Sequence, residues 1–239
     1  MAEQRSNHPP AGIGERNEGS LHAALKQWYA LPGDRLETKV DGFVVDIVRD
    51  DLLIEIQTGN FSALKRKLDH LLPKYRVLVS YPVAERKWIT RLSNDAVTLS
   101  RRKSPKAGNV YDLFDQLVRI PALINHPNFI LELLIIEVEE IRCLDGQGSW
   151  RRQGVSIRDR RLLEVRNRIR FETKEDFWAI LPQDLGEPFT NKVLAQKAGI
   201  SRGRAGKATY CLGKMGLIQV ARRDKNGYHY VRTGNEPPC

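Results

Sequence analysis

Cysteine is scarce in this sequence, and long apolar runs are absent from it. The three cysteines, Cys143, Cys211 and Cys239, lie far apart and form no Cys-x-x-Cys pair, which argues against a zinc site and is typical of a reducing cytoplasm. The five histidines also lack the spacing of metal ligands. No stretch approaches the roughly 18 consecutive apolar residues of a transmembrane helix, so we expect no membrane partner and a cytoplasmic location.

A secretory signal pattern is missing as well. Residues 1–17 are polar, contain two prolines and two glycines, and lack the apolar core of a signal peptide. We therefore predict a disordered lead-in over residues 1–17 and a loose tail over residues 234–239. The remaining chain has room for two domains, and a hydrophobic fraction of 41% is enough for a packed core.

The net charge of +10 is distributed unevenly along the chain. Residues 1–141 contain 19 Lys/Arg and 19 Asp/Glu, whereas residues 142–239 contain 20 Lys/Arg and 10 Asp/Glu. A basic region beside a neutral body is the pattern expected of a protein that binds nucleic acid. A solvated basic surface with no partner would give the same composition.

Alternating helix and strand patterns predict an α/β domain over residues 18–141. The pattern is a helix, two strands joined by a tight turn, a second helix and a third strand, at 17–31, 36–48, 52–57, 61–72 and 75–83. The first two strands are expected to be antiparallel, and the third is expected to lie parallel to the second through a right-handed crossover. A further helix is predicted at 111–124, and residues 129–141 fit either a strand or a buried helix end. The fold expected is a mixed sheet flanked by helices.

The basic excess begins in residues 142–173, a stretch interrupted by three glycines. We predict that this stretch is a basic connector or an extended hairpin outside the core. Arg151 and Arg152 are its candidate DNA contacts.

Residues 174–233 have the element order of a compact helical unit closed by a hairpin. Thr190 caps a predicted helix, Gly199-Ile200-Ser201 forms a turn before a second helix, and Asn226-Gly227 marks a hairpin. The segments Thr190–Ser201 and Leu212–Ile218 resemble the helices and wing entry of winged helix-turn-helix proteins.

This resemblance implies that the second helix meets base edges and phosphates at its N-terminal end, and that the wing holds phosphates. Residues 200–232 contain eight Lys/Arg and one acid. The candidate DNA contacts are three cations on the helix and three on the wing, namely Arg202, Arg204, Lys207, Arg222, Arg223 and Lys225. The alternative is a winged helix used for protein contacts.

Two acids stand in apolar strands where a carboxylate is expensive. Asp46 lies within Val-Val-Asp-Ile-Val, and Glu55 lies within Leu-Leu-Ile-Glu-Ile. An unpaired buried carboxylate costs several kcal/mol or becomes protonated. Two such acids on neighbouring strands are explained by one divalent cation, which prefers oxygen ligands. The alternative is that both acids lie on an exposed strand face.

The order of elements around these acids resembles the PD-(D/E)XK nuclease superfamily over roughly residues 18–83. That resemblance implies that Asp46 and Glu55 are the ligands of Mg²⁺ or Mn²⁺. Gln57 occupies the position of the family's lysine, as in a variant found in nucleases that resemble the competence protein CoiA. Glu18 resembles the glutamate that many members carry on their first helix. The missing positive charge is expected from Lys65, with Lys67 and Lys39 as alternatives.

The sequence therefore predicts a metal-dependent DNA endonuclease that binds DNA through a basic connector and a winged helix. The catalytic group expected is Asp46, Glu55, Gln57, Lys65 and Glu18. The alternative is an inactive nuclease fold that serves as a DNA-binding regulator or adaptor, and the glutamine at position 57 favours it. A nuclease with one active site often cuts both strands as a dimer, so a homodimer is compatible with the prediction.

Overall fold

A seven-stranded mixed sheet organises the first two-thirds of the chain. The computed structural model describes residues 19–148, 150, 153–225 and 227–234. The strands of the large sheet are β1 (Arg35–Val40), β2 (Phe43–Arg49), β3 (Leu52–Ile56), β4 (Arg76–Leu92), β5 (Thr98–Lys103), β6 (Phe129–Leu144) and β7 (Val155–Phe171). The α-helices are α1 (Ser20–Tyr29), α2 (Lys65–Leu71), α3 (Phe114–Leu117), α4 (Asn191–Ala198) and α5 (Arg202–Lys214). The predicted lead-in and tail fall outside the described residues, apart from Gly234.

The sheet has the order β1-β2-β3-β4-β6-β7, and β5 pairs with the later half of β4. The expected antiparallel pairing of β2 with β3 and the parallel pairing of β3 with β4 are both confirmed. The single strand predicted at 36–48 is two strands, because Asp41 and Gly42 have φ of 46° and 89° and reverse the chain. Consecutive positive φ angles are typical of a two-residue hairpin turn.

Helices cover both faces of the sheet. Leu25 and Tyr29 of α1 pack on one face against Ile54 of β3 and Leu134 of β6. Helices α2 and α3 contribute to the larger core on the other face. The helix predicted at 61–72 begins as a 3₁₀ turn at Phe61–Ala63, and the one predicted at 111–124 is reduced to the four residues of α3 between 3₁₀ turns. Pro121 is consistent with this early end, because proline lacks the N–H that helix continuation requires.

Of the two forms predicted for residues 142–173, the structure has the hairpin and not the connector. Strand β6 continues to Leu144, and β7 runs back along it from Leu144↔Val155 to Leu131↔Phe171, so the stretch is the edge hairpin of the sheet. Leu162 and Val165 pack toward the core on the α1 face, and Phe171 is fully buried. The sheet domain therefore extends past residue 141 to the end of β7. Exposed arginines between the apolar positions made this edge strand look like a solvated linker.

The C-terminal part consists of α4, α5 and a hairpin of β8 (Ile218–Asp224) and β9 (Gly227–Arg232), after a 3₁₀ helix at Lys174–Ile180. The predicted caps are confirmed, since Thr190 and Ser201 accept hydrogen bonds from the N–H groups of Val193 and Arg204. Gly199 takes the left-handed conformation, with φ of 63°, that ends α4. The fold is thus a mixed α/β sheet domain followed by helices and a two-stranded hairpin.

The two parts share one hydrophobic core. Phe177 of the C-terminal part is fully buried, stacks on Phe171 of β7 with ring centroids 4.3 Å apart, and lies 6.2 Å from Phe114 of α3. Tyr111 donates a hydrogen bond to the Ile180 carbonyl oxygen at 2.7 Å. Because the aromatic contacts are apolar and buried, separating the parts would expose core surface.

Cys143 and Cys211 are buried free thiols. Burial raises the pKa of the Cys211 thiol to about 12, so it is unreactive at neutral pH. Across the described ranges, none of the helices has the length and apolar character needed to cross a membrane.

We predict that Phe177→Ala lowers the free energy of unfolding by about 3–5 kcal/mol, the usual loss when a buried phenylalanine is truncated. Urea unfolding followed by tryptophan fluorescence and by far-UV circular dichroism checks this value. The two probes should give coincident transitions, since the core is continuous. Leu163→Ala, at a position 44% exposed on β7, should change stability by less than about 0.5 kcal/mol. A loss below about 1 kcal/mol for Phe177→Ala would contradict the shared core.

Candidate active site

Asp46 and Glu55 meet at the point where β2 and β3 stop pairing. Ile47 lies opposite Ile54, and the next residues on the two strands are Asp46 and Glu55. Beyond this pair the backbone pairing of β2 with β3 ends. A side chain takes its place, because Asp46 Oδ2 accepts a hydrogen bond from the Ile56 N–H at 2.8 Å. The Glu55 carboxylate in turn accepts from the Asp46 backbone N–H. The two acids are therefore neighbours and are held by each other's strands.

Glu55 is the more buried acid, with only 4% of its surface exposed. Burial, helped by the nearby Asp46 charge and opposed by Lys67, raises the pKa of Glu55 to about 7. Lys67 of α2 forms an ion pair with Glu55 Oε1 and donates a hydrogen bond to the Val44 carbonyl oxygen. Glu55 Oε1 is buried and, apart from this ion pair, makes no hydrogen bond of good geometry within the described part of the chain.

Asp46 is ionised more easily than Glu55. Burial favours its neutral form, but the hydrogen bonds from His22 and from the Ile56 N–H, together with the charge of Lys67, outweigh burial and lower the pKa of Asp46. His22 lies on α1, and its Nε2 is 3.3 Å from Asp46 Oδ2. The site thus pairs one readily ionised carboxylate with one that binds a proton near neutral pH.

The structure brings Lys67, and not Lys65, to the acids. Lys65 is exposed and forms an ion pair with Asp69 one helical turn away, at 2.7 Å. The expected role of Lys65 is corrected accordingly, because α2 begins only at Lys65 and turns its third residue toward the sheet. Lys39, the other alternative, is an exposed residue of β1. Glu18 lies outside the described residues.

Gln57 follows β3 instead of extending it. Its backbone N–H donates to the Ser80 carbonyl oxygen at 2.8 Å, and its side-chain Nε2 donates to the Asn60 carbonyl oxygen at 3.1 Å. The strand ends at Ile56, so the two-residue periodicity that would place Gln57 on the face of Glu55 does not carry that far. The amide of Gln57 stabilises the loop that leads into α2.

A second buried acid, Glu132 of β6, was not selected from the sequence. It is 1% exposed and accepts a hydrogen bond from the Tyr29 hydroxyl, which also lies 3.0 Å from Ser80 Oγ. Burial and the Glu132 carboxylate raise the pKa of the Tyr29 hydroxyl, so it remains a donor. Glu132 stands within Ile-Leu-Glu-Leu-Leu, the same signal of an acid in an apolar run that identified Asp46 and Glu55.

The predicted DNA contacts fall into two groups. Arg202, Arg222, Arg223 and Lys225 are exposed. Arg204 and Lys207 instead form ion pairs at the start of α5 with two aspartates of the preceding domain.

The ion pairs that Arg204 and Lys207 form with Asp112 and Asp115 are short. Arg204 lies 2.6 Å from Asp112 Oδ1 and 2.7 Å from Asp115 Oδ2, and Lys207 Nζ lies 2.8 Å from Asp115 Oδ1. Burial raises the pKa of Asp112. Burial also opposes ionisation of Asp115, but the hydrogen bonds from Lys207 and Arg204 outweigh it and lower the pKa of Asp115. Arg151 and Arg152 lie outside the described residues.

Metal binding by this site would rest on few protein ligands. Among the described residues, no group of three or more His, Cys, Asp or Glu side chains is arranged to hold a metal ion. This excludes a closed zinc cage from that part of the chain. Two adjacent carboxylates are, however, the number that Mg²⁺ commonly takes from a protein while it keeps several waters.

The chain belongs to a family described as a domain of unknown function, DUF8091, whose model matches residues 19–172. The match ends where β7 ends, so the family domain is the complete seven-stranded sheet with α1 to α3. A relative from Treponema pallidum (strain Nichols), described as an uncharacterized protein, is 35% identical over 180 residues, which is 75% of this chain and 72% of the relative. No solved structure matches the chain.

We predict that the Glu55 carboxyl group titrates with a pKa near 7 and that Lys67→Met raises this pKa further, because the mutation removes the cation that favours the ionised form. A ¹³C NMR titration in metal-free buffer measures both values. Lys65→Met is the matched control and should leave the titration unchanged. An ordinary glutamate pKa near 4.5, or equal effects of the two lysine variants, would contradict this assignment.

The same shift makes stability depend on pH. The folded-state pKa of Glu55 is above its unfolded value, so the protonated acid contributes stability that is complete below pH 4.5 and is lost as pH rises toward 7. Urea unfolding should show a loss on the order of 3 kcal/mol over this interval in the wild type. Glu55→Gln should lack this component, whereas Glu164→Gln, at an exposed position on β7, should retain it.

Proposed function

We propose that the protein is a metal-dependent DNA endonuclease whose sheet domain has the PD-(D/E)XK arrangement. The observation that carries the proposal is the convergence of Asp46, Glu55 and Lys67 where β2 and β3 separate. Two carboxylates and one lysine are the residue types that this class of nuclease uses. Here the lysine comes from the helix after β3 and takes the role of the residue that Gln57 replaces.

The donor set fits Mg²⁺ or Mn²⁺. Asp46 and Glu55 supply hard oxygen ligands. A divalent cation would favour the ionised form of Glu55, whose pKa is raised mainly by burial and to a lesser degree by the Asp46 charge. A proton must leave Glu55 when a metal binds, so metal affinity should increase as pH rises through about 7. When bound, the metal would activate a water molecule and stabilise negative charge on the phosphate.

The protein side chains would supply the remaining electrostatics. Lys67 carries a positive charge beside Glu55 and can stabilise the additional charge that develops on a phosphate during cleavage. His22 donates to Asp46 and keeps that carboxylate ionised. In this proposal Lys67 is the catalytic cation, whereas His22 positions the metal ligand.

DNA would approach through exposed cations of the C-terminal hairpin. Arg222, Arg223 and Lys225 lie on β8 and at the hairpin turn, where the wing of a winged helix holds phosphates. Arg223 also stacks over the Tyr228 ring at 5.1 Å, which orders its guanidinium. This arrangement supports the winged helix-turn-helix interpretation of the C-terminal part.

We predict that purified protein nicks or cuts supercoiled plasmid in the presence of Mg²⁺ or Mn²⁺. Asp46→Asn, Glu55→Gln and Lys67→Ala should each lower the cleavage rate by on the order of 10²-fold or more, because each removes a ligand or charge used in the transition state. Agarose-gel assays with supercoiled, linear, branched and single-stranded substrates measure the rate.

Matched controls separate the site from general surface charge. Asp51→Asn and Lys65→Ala remove comparable exposed groups and should retain wild-type cleavage. Cleavage that survives Asp46→Asn and Glu55→Gln, or an absence of cleavage on all four substrates, would overturn the nuclease proposal.

A second candidate function is a DNA-binding regulator or adaptor with an inactive nuclease fold. It is favoured by the fact that Lys67 and His22 already compensate Glu55 and Asp46, while the Gln57 amide is held in its loop. In that case DNA binding should be tight and salt-sensitive, and Asp46→Asn should leave it unchanged without any metal-dependent cleavage.

We predict that Asp112→Asn/Asp115→Asn tightens DNA binding, because the double variant releases Arg204 and Lys207. The slope of log Kd against log salt should steepen by about 2, or roughly 0.9 for each added phosphate contact. Fluorescence anisotropy with a labelled duplex measures it. Asp51→Asn/Asp69→Asn makes the same change in net charge elsewhere and should have a smaller effect. Equal effects of the two double variants would show that Arg204 and Lys207 make no DNA contact.

A further inference from the structure

A basic cleft lies on the outer half of the sheet, away from the acids. Strand β4 continues 12 residues past Ser80, the partner of the last residue of β3. Strands β5 and β6 pair with this extension, and β7 pairs with β6. The cleft has a volume of about 480 Å³ and lies on this extension. One row of paired residues crosses it in register, from Arg102 on β5 through Ile89 and Glu140 to Arg160 on β7.

The lining of the cleft carries five cations and one acid. The cations are Lys87, Arg102, Lys106, Arg142 and Arg160, and the acid is Glu140. Among the described residues, no carboxylate pairs with Arg102 or Lys106. An excess of four positive charges in one concave surface is a strong attraction for an anion.

Glu140 gives the cleft a fixed internal structure. It is 1% exposed, accepts hydrogen bonds from Arg142 Nε at 2.8 Å and from Arg160 Nε at 3.3 Å, and lies 3.8 Å from Lys87 Nζ. Burial opposes its ionisation, but these cations outweigh burial and lower the pKa of Glu140. A buried carboxylate that orients two guanidinium groups leaves their other N–H donors available, because each arginine has five.

The distance over which the cations are spread indicates that the ligand is a polymer and not a small anion. Arg102 and Arg160 are three strands apart, or about 14 Å at the usual strand spacing. Duplex DNA presents one charge for about each 1.7 Å of its axis, so it offers several phosphates over that distance. The planar fork of an arginine side chain also suits phosphate oxygens.

The cleft lies beyond the acids along the strands and on the opposite face of the sheet. Glu55 is in the row of Val79 and Leu131, which face the core under α2 and α3, whereas Glu140 shares its face with Ile136 and Val138, which face α1. Ile89 is nine residues beyond Ser80 on β4, so the cleft is at most about 30 Å from Ile56 and its neighbours Asp46 and Glu55. That distance corresponds to about one turn of B-DNA.

We infer that this cleft, formed by the extension of β4 to β7, binds the phosphate backbone of duplex DNA about one helical turn from the Asp46–Glu55 pair. The inference builds on the proposed function, since it names the surface that holds the substrate of that site. It is independent of the cations on α5 and on the C-terminal hairpin.

Binding without cleavage tests it. The probe is a fluorescein-labelled DNA duplex of about three turns in EDTA buffer, with Kd measured over a salt series. Arg102→Gln/Lys106→Gln/Arg160→Gln should weaken binding by about tenfold or more and lower the salt slope by about 2 to 3. Arg35→Gln/Lys74→Gln/Arg76→Gln removes the same charge from the opposite end of the sheet and should leave the slope within about 1 of the wild type.

The outcomes are distinct from those of the cleavage assay. Equal losses in the two triple variants, or no loss in the cleft variant, would overturn the inference, as would a loss seen with an RNA duplex alone. A selective loss on DNA supports the cleft even if no cleavage is ever detected. Thermal unfolding checks that both variants are folded, and Lys106→Glu, on the loop after β5, repeats the test without altering a strand residue.

Discussion

The parallel pairing of β4 with β6 is the constraint on which the structure depends. It runs from Val77↔Phe129 to Leu92↔Cys143, and each strand offers its other edge to further partners. The first part of β4 pairs with β3 and the later part pairs with β5, while β6 pairs with β7 from Leu131 to Leu144. The helices cover the inner half of this sheet and form the cores there. The outer half carries little apolar cover and displays charge, so one pair of strands joins a packed region to a charged surface.

Several acids lie in the apolar parts of this sheet, and each is compensated by a nearby cation or hydrogen-bond donor. Glu55 has Lys67, Asp46 has His22, Glu132 has the Tyr29 hydroxyl and Glu140 has two arginines. The four acids differ in the charge that is left uncompensated around them. Glu132 is enclosed by its partners and is best understood as part of the packing of α1 on the sheet. Glu55 keeps a proton near neutral pH, and Glu140 is outnumbered by cations. Those imbalances are the physical basis for assigning chemistry to one site and phosphate binding to another.

The sequence predicted local features well and long-range partners poorly. The acids in apolar runs, the caps at Thr190 and Ser201, and the β3 to β4 crossover all follow from nearest-neighbour rules, and the structure has them. The choice between Lys65 and Lys67 depended on where α2 begins, which a 3₁₀ turn displaced. Strand β7 was hidden because an edge strand exposes most of its side chains and so loses the apolar alternation of a central strand. The ion pair between Asp115 and Arg204 joins residues 89 positions apart, and no local sequence pattern predicts such a contact.

The basic excess of the second half of the chain consequently has a different meaning from the one its composition indicated. A large share of the arginines in residues 142–173 belongs to β7 and lies on the sheet domain itself. The helix expected to read DNA has two of its cations neutralised by aspartates of that same domain. In our proposal, the cations that bind phosphate in the resting molecule are therefore those of the sheet extension and the C-terminal hairpin. If the proposed function holds, the sheet both holds the backbone and carries the acids, and the C-terminal part adds affinity once a duplex competes with Asp112 and Asp115 for α5. Such competition links DNA binding to the contact between the two parts, because the same cations cannot serve both partners.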